Sequence, residues 1–227
     1  MSDTNLLKKE VIVTKKVIIL LSIVFLILPY SKVNAKSDLK TALSRSSNKY
    51  DISSTLLLAI ILVESNMNKN AIGAMPKFNY QIKMLKKYLN MLGCKYKTRN
   101  NEKYWSIYPK CKEEAKKIIL VLENFNIGYD LGLTQINVYN IKKRNLNKEK
   151  LLEDEIYSID IGAKILKECI RYNKYNVHDS IECYNKGTNK RKYTYNYSKK
   201  VLKKYEQLKR EIKRIVCVRH KLCGDKK

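Results

Sequence analysis

The sequence predicts a mainly α-helical domain, and three of its features carry this prediction. Leu56–Val63 is an apolar run too continuous for a helix that packs by one side only, so it predicts a buried helix. No stretch alternates apolar and polar residues for long enough to predict the core of a β-sheet. Near the C-terminus, apolar residues recur every three or four positions, as in a helix, at Val201, Tyr205, Leu208, Ile212 and Ile215.

Composition and charge exclude several classes of protein. The chain has 227 residues, with 47 Lys plus Arg, 21 Asp plus Glu and a formal net charge of +26. Its 44% apolar content excludes an intrinsically disordered chain, and its charge excludes an ordinary neutral cytosolic enzyme. Two histidines leave little material for a metal site or a Ser-His-Asp triad, so no metal and no cofactor are expected. Any chemistry then rests on carboxylates, amides and phenols.

Residues 1–35 have the features of a secretory signal peptide. Four lysines precede the apolar run Val17–Pro29, and Val33-Asn34-Ala35 supplies a small-residue cleavage site. The run is shorter than the roughly 18 apolar residues of a spanning helix, although an uncleaved N-terminal anchor stays open as the alternative. Both interpretations place the rest of the chain outside the cytoplasm, in the periplasm or at the cell wall.

The remaining elements follow in chain order. Residues 36–47 form a polar lead-in, and Ser53 is a suitable N-cap for the buried helix. Residues 127–137, which contain two glycines, are expected to form a loop that runs into a helix. Further helices are predicted at residues 79–92, 112–123, 151–170 and 178–184, with room for a short β-hairpin between the first two and a basic helix end and tail at residues 206–227.

All six cysteines follow residue 35, so disulfides are expected in an oxidising compartment. Cys169 and Cys183 lie symmetrically about a predicted turn near Asn176, as residues that face each other in a helical hairpin do. Cys94 and Cys111 bracket a polar, Tyr-rich segment. These positions favour the disulfides Cys169–Cys183 and Cys94–Cys111, although sequence alone does not fix the connectivity.

The other two cysteines lie in the basic tail. Cys217, His220 and Cys223 spell C-x2-H-x2-C, a spacing found in metal clusters. Three ligands are fewer than a structural zinc site uses, so no metal is expected here. Whether Cys217 and Cys223 pair with each other stays open.

Glu64 is the residue that the hydrophobic pattern does not explain. It ends the buried apolar helix, and a carboxyl that loses hydration has a raised pKa. Cleavage of a glycosidic bond needs a carboxylic acid that stays protonated near neutral pH, because the leaving oxygen must be protonated. The alternative is a structural role, with the side chain turned to solvent or paired with a lysine.

Five motifs occur in order along the chain: LAIILVES, DLGLTQIN, IGAKIL, ECYNKGT and the spacing Y-x3-V-x3-Y that starts at Tyr197. This succession resembles the lytic transglycosylases with a goose-type lysozyme-like domain, over residues 48–74 and 125–205. It is most similar to the exported branch that accompanies secretion and conjugation machinery. The resemblance implies a lysozyme-like transglycosylase domain at residues 48–205, with residues 75–124 as an insertion.

The resemblance also implies roles for individual residues. Glu64 matches the single catalytic acid of the family. Amides exchange hydrogen bonds with sugar hydroxyls and N-acetyl groups, and tyrosine combines an apolar ring with a polar hydroxyl. The residues that the resemblance assigns to binding of the glycan strand are Ser65, Gln135, Asn137, Tyr184, Asn185 and Tyr197.

Asp130 decides which reaction is expected. Most glycoside hydrolases use two carboxylates, so Asp130 as a second carboxylate would indicate a lysozyme-type hydrolase. The favoured interpretation is that Asp130 accepts hydrogen bonds from backbone N–H groups of a loop or helix start. Glu64 would then act alone, first as an acid and then as a base toward the C6 hydroxyl of the muramoyl residue. That reaction gives a 1,6-anhydromuramoyl end.

Two further segments bear on partners. The insertion is either packed on the domain edge or forms a cleft wall or docking surface, and Trp105 within it is expected to be packed.

Residues 186–214 hold twelve basic and two acidic side chains, which is typical of a solvated helix face. Attraction to an anionic wall polymer or membrane surface is the functional alternative.

The expected partners are peptidoglycan glycan strands and proteins of a secretion or conjugation apparatus. The alternative of a different class is a secreted basic protein that binds nucleic acid or the wall as an adaptor, without catalysis. The sequence contains no nucleic-acid-binding motif, so no specific nucleic acid is expected.

Overall fold

The computed structural model describes the backbone of residues 33–220 and the side chains of residues 39–215. The chain divides into two compact units. Within the described residues, the first unit comprises residues 33–63 and 159–220, and the second unit comprises residues 64–158.

Helices dominate the described chain, which confirms the predicted mainly α class, and short strands form one antiparallel sheet. The strands of this sheet lie in the order β2-β3-β1-β4-β5, so β2 and β5 are its edges. In chain order the elements are α1 (Val33–Tyr50), α2 (Ser54–Glu64), β1 (Ile72–Met75), α3 (Asn79–Met91), β2 (Lys95–Arg99), β3 (Tyr104–Tyr108), α4 (Lys112–Asn124), β4 (Gly128–Leu131), β5 (Ile136–Asn137), α5 (Val138–Lys143), α6 (Lys148–Glu153), α7 (Glu155–Tyr172), α8 (Val177–Lys186), a 3-10 turn (Lys190–Lys192) and α9 (Asn196–His220).

The sheet is larger than the short hairpin that the sequence predicts. β2 and β3 form that hairpin, within the predicted insertion. β1, β4 and β5 have only two to four residues each, which is too few for an alternating pattern to be recognised. The expectation of a loop over residues 127–137 is therefore wrong in part, because this segment supplies both β4 and β5 before α5 begins.

The segment expected to be a polar lead-in belongs to the helix α1. Leu39, Ala42 and Leu43 are buried, and so are Ser46 and Ser47. This spacing of three and four residues defines one helix face, which the serines made hard to recognise in the sequence.

α2 is buried along most of its length, as the apolar run predicts. Every residue from Ser54 to Ile61 is buried. The Oγ of Ser53 accepts a hydrogen bond from the backbone N–H of Leu56 at 3.4 Å, which is the contact expected of an N-cap.

The predicted Cys169–Cys183 disulfide is confirmed, with the two Cα atoms 5.6 Å apart. It joins α7 to α8 across the turn that leads to Asn176, whose side chain caps α8 by accepting from Asp179 N. The predicted Cys94–Cys111 disulfide is wrong, because both residues are free thiols. Cys94 is buried and Cys111 is exposed, so the two side chains occupy different environments.

Several predictions concern residues outside the described part of the chain. The basic segment and apolar run of the predicted signal peptide precede residue 33, and Cys223 follows residue 220. The side chains of Cys217 and His220 are also outside the described part. The expectation that C-x2-H-x2-C binds no metal therefore stays a prediction. Across residues 33–220, no helix has the length and apolar character needed to cross a membrane.

Candidate active site

Glu64 is the last residue of α2, and the buried helix fixes its position. The side chain is partly buried, and the next residue, Ser65, is buried. Directly afterwards the chain reverses through Asn66 and Met67, which both have a positive φ. The backbone N–H of Asn68 donates to Ser65 O at 3.0 Å, which closes this turn.

Asp130 and Asn137 form a pair on adjacent strands of the sheet. They lie opposite each other in the β4–β5 register, and Asn137 Nδ2 donates to Asp130 Oδ1 at 2.6 Å. The other end of the Asn137 amide caps α5, because its Oδ1 accepts from Tyr139 N at 2.9 Å. Both ends of the Asn137 amide therefore bind the protein itself, and the role in glycan binding that the resemblance implies stays a prediction.

Gln135 is held next to this pair by its own hydrogen bonds. Its Nε2 donates to Ala71 O at 2.9 Å and to Gly132 O at 2.8 Å, and its backbone has a φ of 47°. These bonds use both amide protons, so the Oε1 is the atom through which Gln135 can accept a hydrogen bond from a ligand.

Gly73 brings Gln135 and Asp130 together, and no motif or periodicity in the sequence indicates this. Gly73 lies opposite Asp130 in the β1–β4 register. A Cβ at position 73 would lie 3.1 Å from Gln135 Oε1 and 3.2 Å from Asp130 Oδ2, closer than ordinary contact. Because Gly73 has no side chain, Gln135 Oε1 from the loop and Asp130 Oδ2 from β4 can both lie close to its Cα.

The carboxyl of Asp130 is unusual in its ionisation. Burial raises its pKa to about 6, and the hydrogen bond from Asn137 opposes that shift without cancelling it. The prediction that Asp130 accepts backbone N–H bonds is wrong, because its hydrogen-bond donor within the described chain is the Asn137 side chain. The sequence showed an acid next to a loop but not the strand pairing that supplies this partner.

This raised pKa predicts how Asp130→Asn changes stability. A carboxyl whose pKa is higher in the folded state than its ordinary value of 3.8 stabilises the fold fully below pH 3.8 and loses that contribution as the pH rises through about 6. Between pH 4 and pH 7 we expect the free energy of unfolding of the wild type to fall by on the order of 2 kcal/mol more than that of Asp130→Asn. The variant keeps an oxygen for Asn137. Urea denaturation at four pH values measures the difference, and parallel curves for the two proteins would contradict it.

Gly132 and Thr134 fix the loop between β4 and β5. Gly132 has a φ of 76°, and a Cβ there would clash with the backbone oxygen of Leu151, so no other residue fits without moving the backbone. Thr134 is buried, and its Oγ1 donates to Ser158 O at 2.9 Å. Gln135 is the last residue of this loop, so these contacts determine where the Gln135 side chain begins.

Three of the predicted glycan-binding residues belong to the first unit. Tyr184 is partly buried and Asn185 is exposed at the end of α8, and Tyr197 is partly buried in the first turn of α9. Gly187 ends α8 with a φ of 74°, and its N–H donates to Cys183 O at 2.8 Å. Tyr184 therefore lies between a disulfide cysteine and a conformationally required glycine.

Glu182 is a buried acid that sequence reasoning missed. It is fully buried in α8, and its Oε1 accepts from the backbone N–H of Ser198 at 2.8 Å. That N–H belongs to the first turn of α9, where a negative charge is favourable. Among the described residues no hydrogen-bond partner reaches Glu182 Oε2. Glu182 thus ties the start of α9, and with it the backbone beside Tyr197, to α8.

No metal centre is found in this part of the molecule. Among the residues that the structure describes, no three His, Cys, Asp or Glu side chains lie close enough to hold a metal ion. The structure brings Asp130, Gln135 and Asn137 together in the second unit, which also contains Glu64 and Ser65.

Comparison with known proteins identifies the family. The family described as Transglycosylase SLT domain matches residues 42–207, which is most of the chain. Invasion protein IagB of Salmonella typhimurium is 31% identical over 103 residues, and the match covers 43% of this chain and 64% of the relative. Invasion protein IagB of Salmonella typhi is 30% identical over the same length and coverage.

The chain thus spans slightly less than two thirds of the length of these curated relatives. No solved structure gives a significant match. The match to the family model covers the motif that contains Glu64 and Ser65, the motif that ends in Asn137 and the segment around Tyr184. The chain therefore belongs to the Transglycosylase SLT domain family and carries a lytic transglycosylase domain of that family.

Proposed function

We propose that this protein is an exported lytic transglycosylase that cleaves the MurNAc-β-1,4-GlcNAc bond of peptidoglycan and leaves 1,6-anhydromuramoyl ends. The observation that carries the proposal is the family match over residues 42–207, which contains a partly buried Glu64 at the end of a buried helix. A catalytic acid must be held in a fixed orientation toward the bond that it protonates, and the buried helix holds Glu64 in this way.

In the proposed mechanism Glu64 acts twice. It first donates its proton to the glycosidic oxygen as the bond to C1 breaks. The resulting carboxylate then takes the proton of the C6 hydroxyl of the same muramoyl residue, whose oxygen attacks C1 and closes the 1,6-anhydro ring. This attack is intramolecular, so it gains from a high effective concentration and consumes no water. No metal and no cofactor takes part.

The other site residues are proposed to hold the glycan strand. Gln135 Oε1 accepts from a sugar hydroxyl or N-acetyl N–H, since the Nε2 of the same amide is already bound to the backbone. The remaining contributors are Ser65, Asn137, Tyr184, Asn185 and Tyr197.

The proposed location and partners rest on the N-terminal segment, on the relatives and on the charge of the chain. The N-terminal lysines, apolar run and V-N-A sequence support export to the periplasm or cell wall. The relatives carry the name Invasion protein. The order of the motifs resembles the branch that accompanies secretion and conjugation machinery, which supports a role in opening the wall locally for such an apparatus. The basic face of α9 supports a further attraction to an anionic wall polymer or membrane surface.

A lysozyme-type hydrolase of the same bond is the second candidate, and Asp130 is the observation that favours it. Its pKa of about 6 lets this carboxyl change protonation state near neutral pH, as a general base does. The hydrogen bond from Asn137 at 2.6 Å already orients Asp130 within the sheet, which favours a structural role instead.

A clearing assay tests the proposed function. We expect the purified full-length chain to lower the turbidity of isolated peptidoglycan sacculi, without added metal and in the presence of EDTA. A basic adaptor or a nucleic-acid-binding protein would pellet with sacculi or with nucleic acid but release no soluble muropeptide. Binding without release would thus replace the enzyme proposal with the adaptor alternative.

A further inference from the structure

The hairpin formed by β2 and β3 has two different faces. Residues of a strand alternate between the faces of a sheet, and the register of the two strands pairs Lys95 with Tyr108, Lys97 with Ser106 and Arg99 with Tyr104. We call these six residues the open face of the hairpin. On the opposite face, Trp105 and Ile107 are buried in the second unit.

The opposite face anchors the hairpin and so fixes where the open face points. Trp105 is 2% exposed, its ring stacks on that of Tyr96 with centroids 4.9 Å apart, and its Nε1 donates to Glu102 O at 2.6 Å. A slip of the register by one residue would turn Trp105 to solvent. The expectation that Trp105 is packed is therefore confirmed, and the three cations are held on the outer side.

Among the residues whose side chains the structure describes, no acidic group pairs with the cations of the open face. Lys95, Lys97 and Arg99 are exposed, and no carboxylate among the described residues lies within ion-pair distance of them. The segment 94–111 has five basic residues and one acid, Glu102, which pairs with Lys86 at 3.3 Å. Positions two apart on a strand are about 7 Å apart, so the three cations form a row of unneutralised charge.

This open face is continuous with the candidate active site. The register aligns Lys97, Ser106, Gly73, Asp130 and Asn137 in one row that crosses all five strands of the sheet. Neighbouring strands are about 4.8 Å apart, which puts the backbone of Lys97 about 14 Å from that of Asp130. A polymer that lies over Asp130 and Gln135 can thus reach the cations without leaving this face of the sheet.

We propose that the open face of the hairpin binds the carboxylates of the peptide stems that branch from the glycan strand. The proposal rests on the proposed function, which places that strand on the sheet. Peptide stems carry free carboxylates at intervals along their length, and a guanidinium binds a carboxylate with two parallel hydrogen bonds. The rings of Tyr104 and Tyr108 offer apolar surface and a hydroxyl to the peptide between the charges. Strands that bear stems are then preferred over naked strands.

A binding experiment on intact sacculi tests the proposal. The full chain is used with Glu64→Gln throughout, so that the sacculi stay whole, and the triple variant Lys95→Gln, Lys97→Gln, Arg99→Gln is compared with its parent by co-sedimentation. The matched control is Lys83→Gln, Lys87→Gln, Lys117→Gln, which removes the same charge from exposed lysines of α3 and α4. The substrates are sacculi with stems, the naked glycan strands that an amidase releases from the same sacculi, coupled to beads so that they sediment, and vesicles containing anionic lipid.

We expect the hairpin variant to bind stem-bearing sacculi on the order of tenfold more weakly, because three exposed charge contacts are lost. Binding to naked strands stays the same, and the control variant behaves as its parent. An equal loss on sacculi and on naked strands, or a loss in the control variant, would overturn the proposal. Unchanged binding would mean that the cations only protect the sheet edge from pairing, and a loss confined to vesicles would assign the face to a membrane. This experiment measures binding by variants that do not cleave, whereas the clearing assay measures cleavage by the wild type. A failure of the proposed function is therefore distinguishable from a failure of this proposal.

Discussion

The Glu64→Gln variant is expected to fold as the wild type does and to clear sacculi at least about 10²–10⁴-fold more slowly. The amide keeps the shape of the side chain at the end of α2, so the packing of the buried helix is unaffected. An amide cannot donate the proton that the leaving oxygen needs, nor accept the proton of the C6 hydroxyl afterwards. Both proposed steps therefore fail together.

The control for this prediction is Glu206→Gln, which makes the same chemical change at an exposed position of α9. It should clear sacculi at the wild-type rate. Thermal unfolding of all three proteins establishes that the comparison is between folded molecules. If Glu64→Gln retains near-normal clearing, the chemistry lies elsewhere, and Asp130 is the next residue to test.

Features with a long and regular pattern were predictable from the sequence. The apolar run Leu56–Val63 predicts a buried helix because solvent contact would be unfavourable on every side, and this in turn isolates Glu64 as an exception. Cys169 and Cys183 are equally placed about a turn, so a helical hairpin brings them together. In both cases the pattern lies within one short segment of the sequence, so the pairing of distant segments does not have to be known.

Features that depend on pairing between distant segments were not predictable. The partner of Asp130 is Asn137 because β4 and β5 pair, and Gly73 is needed because β1 pairs with β4. Strands of two to four residues leave no alternation to recognise. Cys94 and Cys111 bracket one segment in sequence, but burial differs between the two ends, and no pattern in that segment reports burial.

Residues whose role depends on burial against a distant segment were also not predictable from the sequence. Glu182 stands between Ile181 and Cys183 in the sequence of α8. From the sequence alone it could be a solvated acid or an acid that does not fit an apolar helix face. Only the approach of α9 to α8 reveals that the carboxylate receives the N–H of Ser198. The same holds for Gly132, whose requirement comes from the backbone of Leu151, nineteen positions away.

The second prediction with a large effect concerns the product. Asp130 is bound to Asn137 within the sheet, so we expect no carboxylate to hold a water molecule opposite the leaving group. The nearest nucleophile is then the C6 hydroxyl of the sugar itself, and almost all new ends should be 1,6-anhydromuramoyl. Asp130→Asn keeps an acceptor for Asn137 and should release the same ends as the wild type.

Mass spectrometry of the released muropeptides, before and after borohydride treatment, tests this central claim most directly. Anhydro ends are lighter than hydrolysed ends by one water and cannot be reduced. We predict that anhydro ends predominate for the wild type and for Asp130→Asn, while Glu64→Gln releases almost nothing. Predominantly reducible ends, together with an Asp130→Asn variant as inactive as Glu64→Gln, would contradict the single-acid mechanism and identify the protein as a lysozyme-type hydrolase.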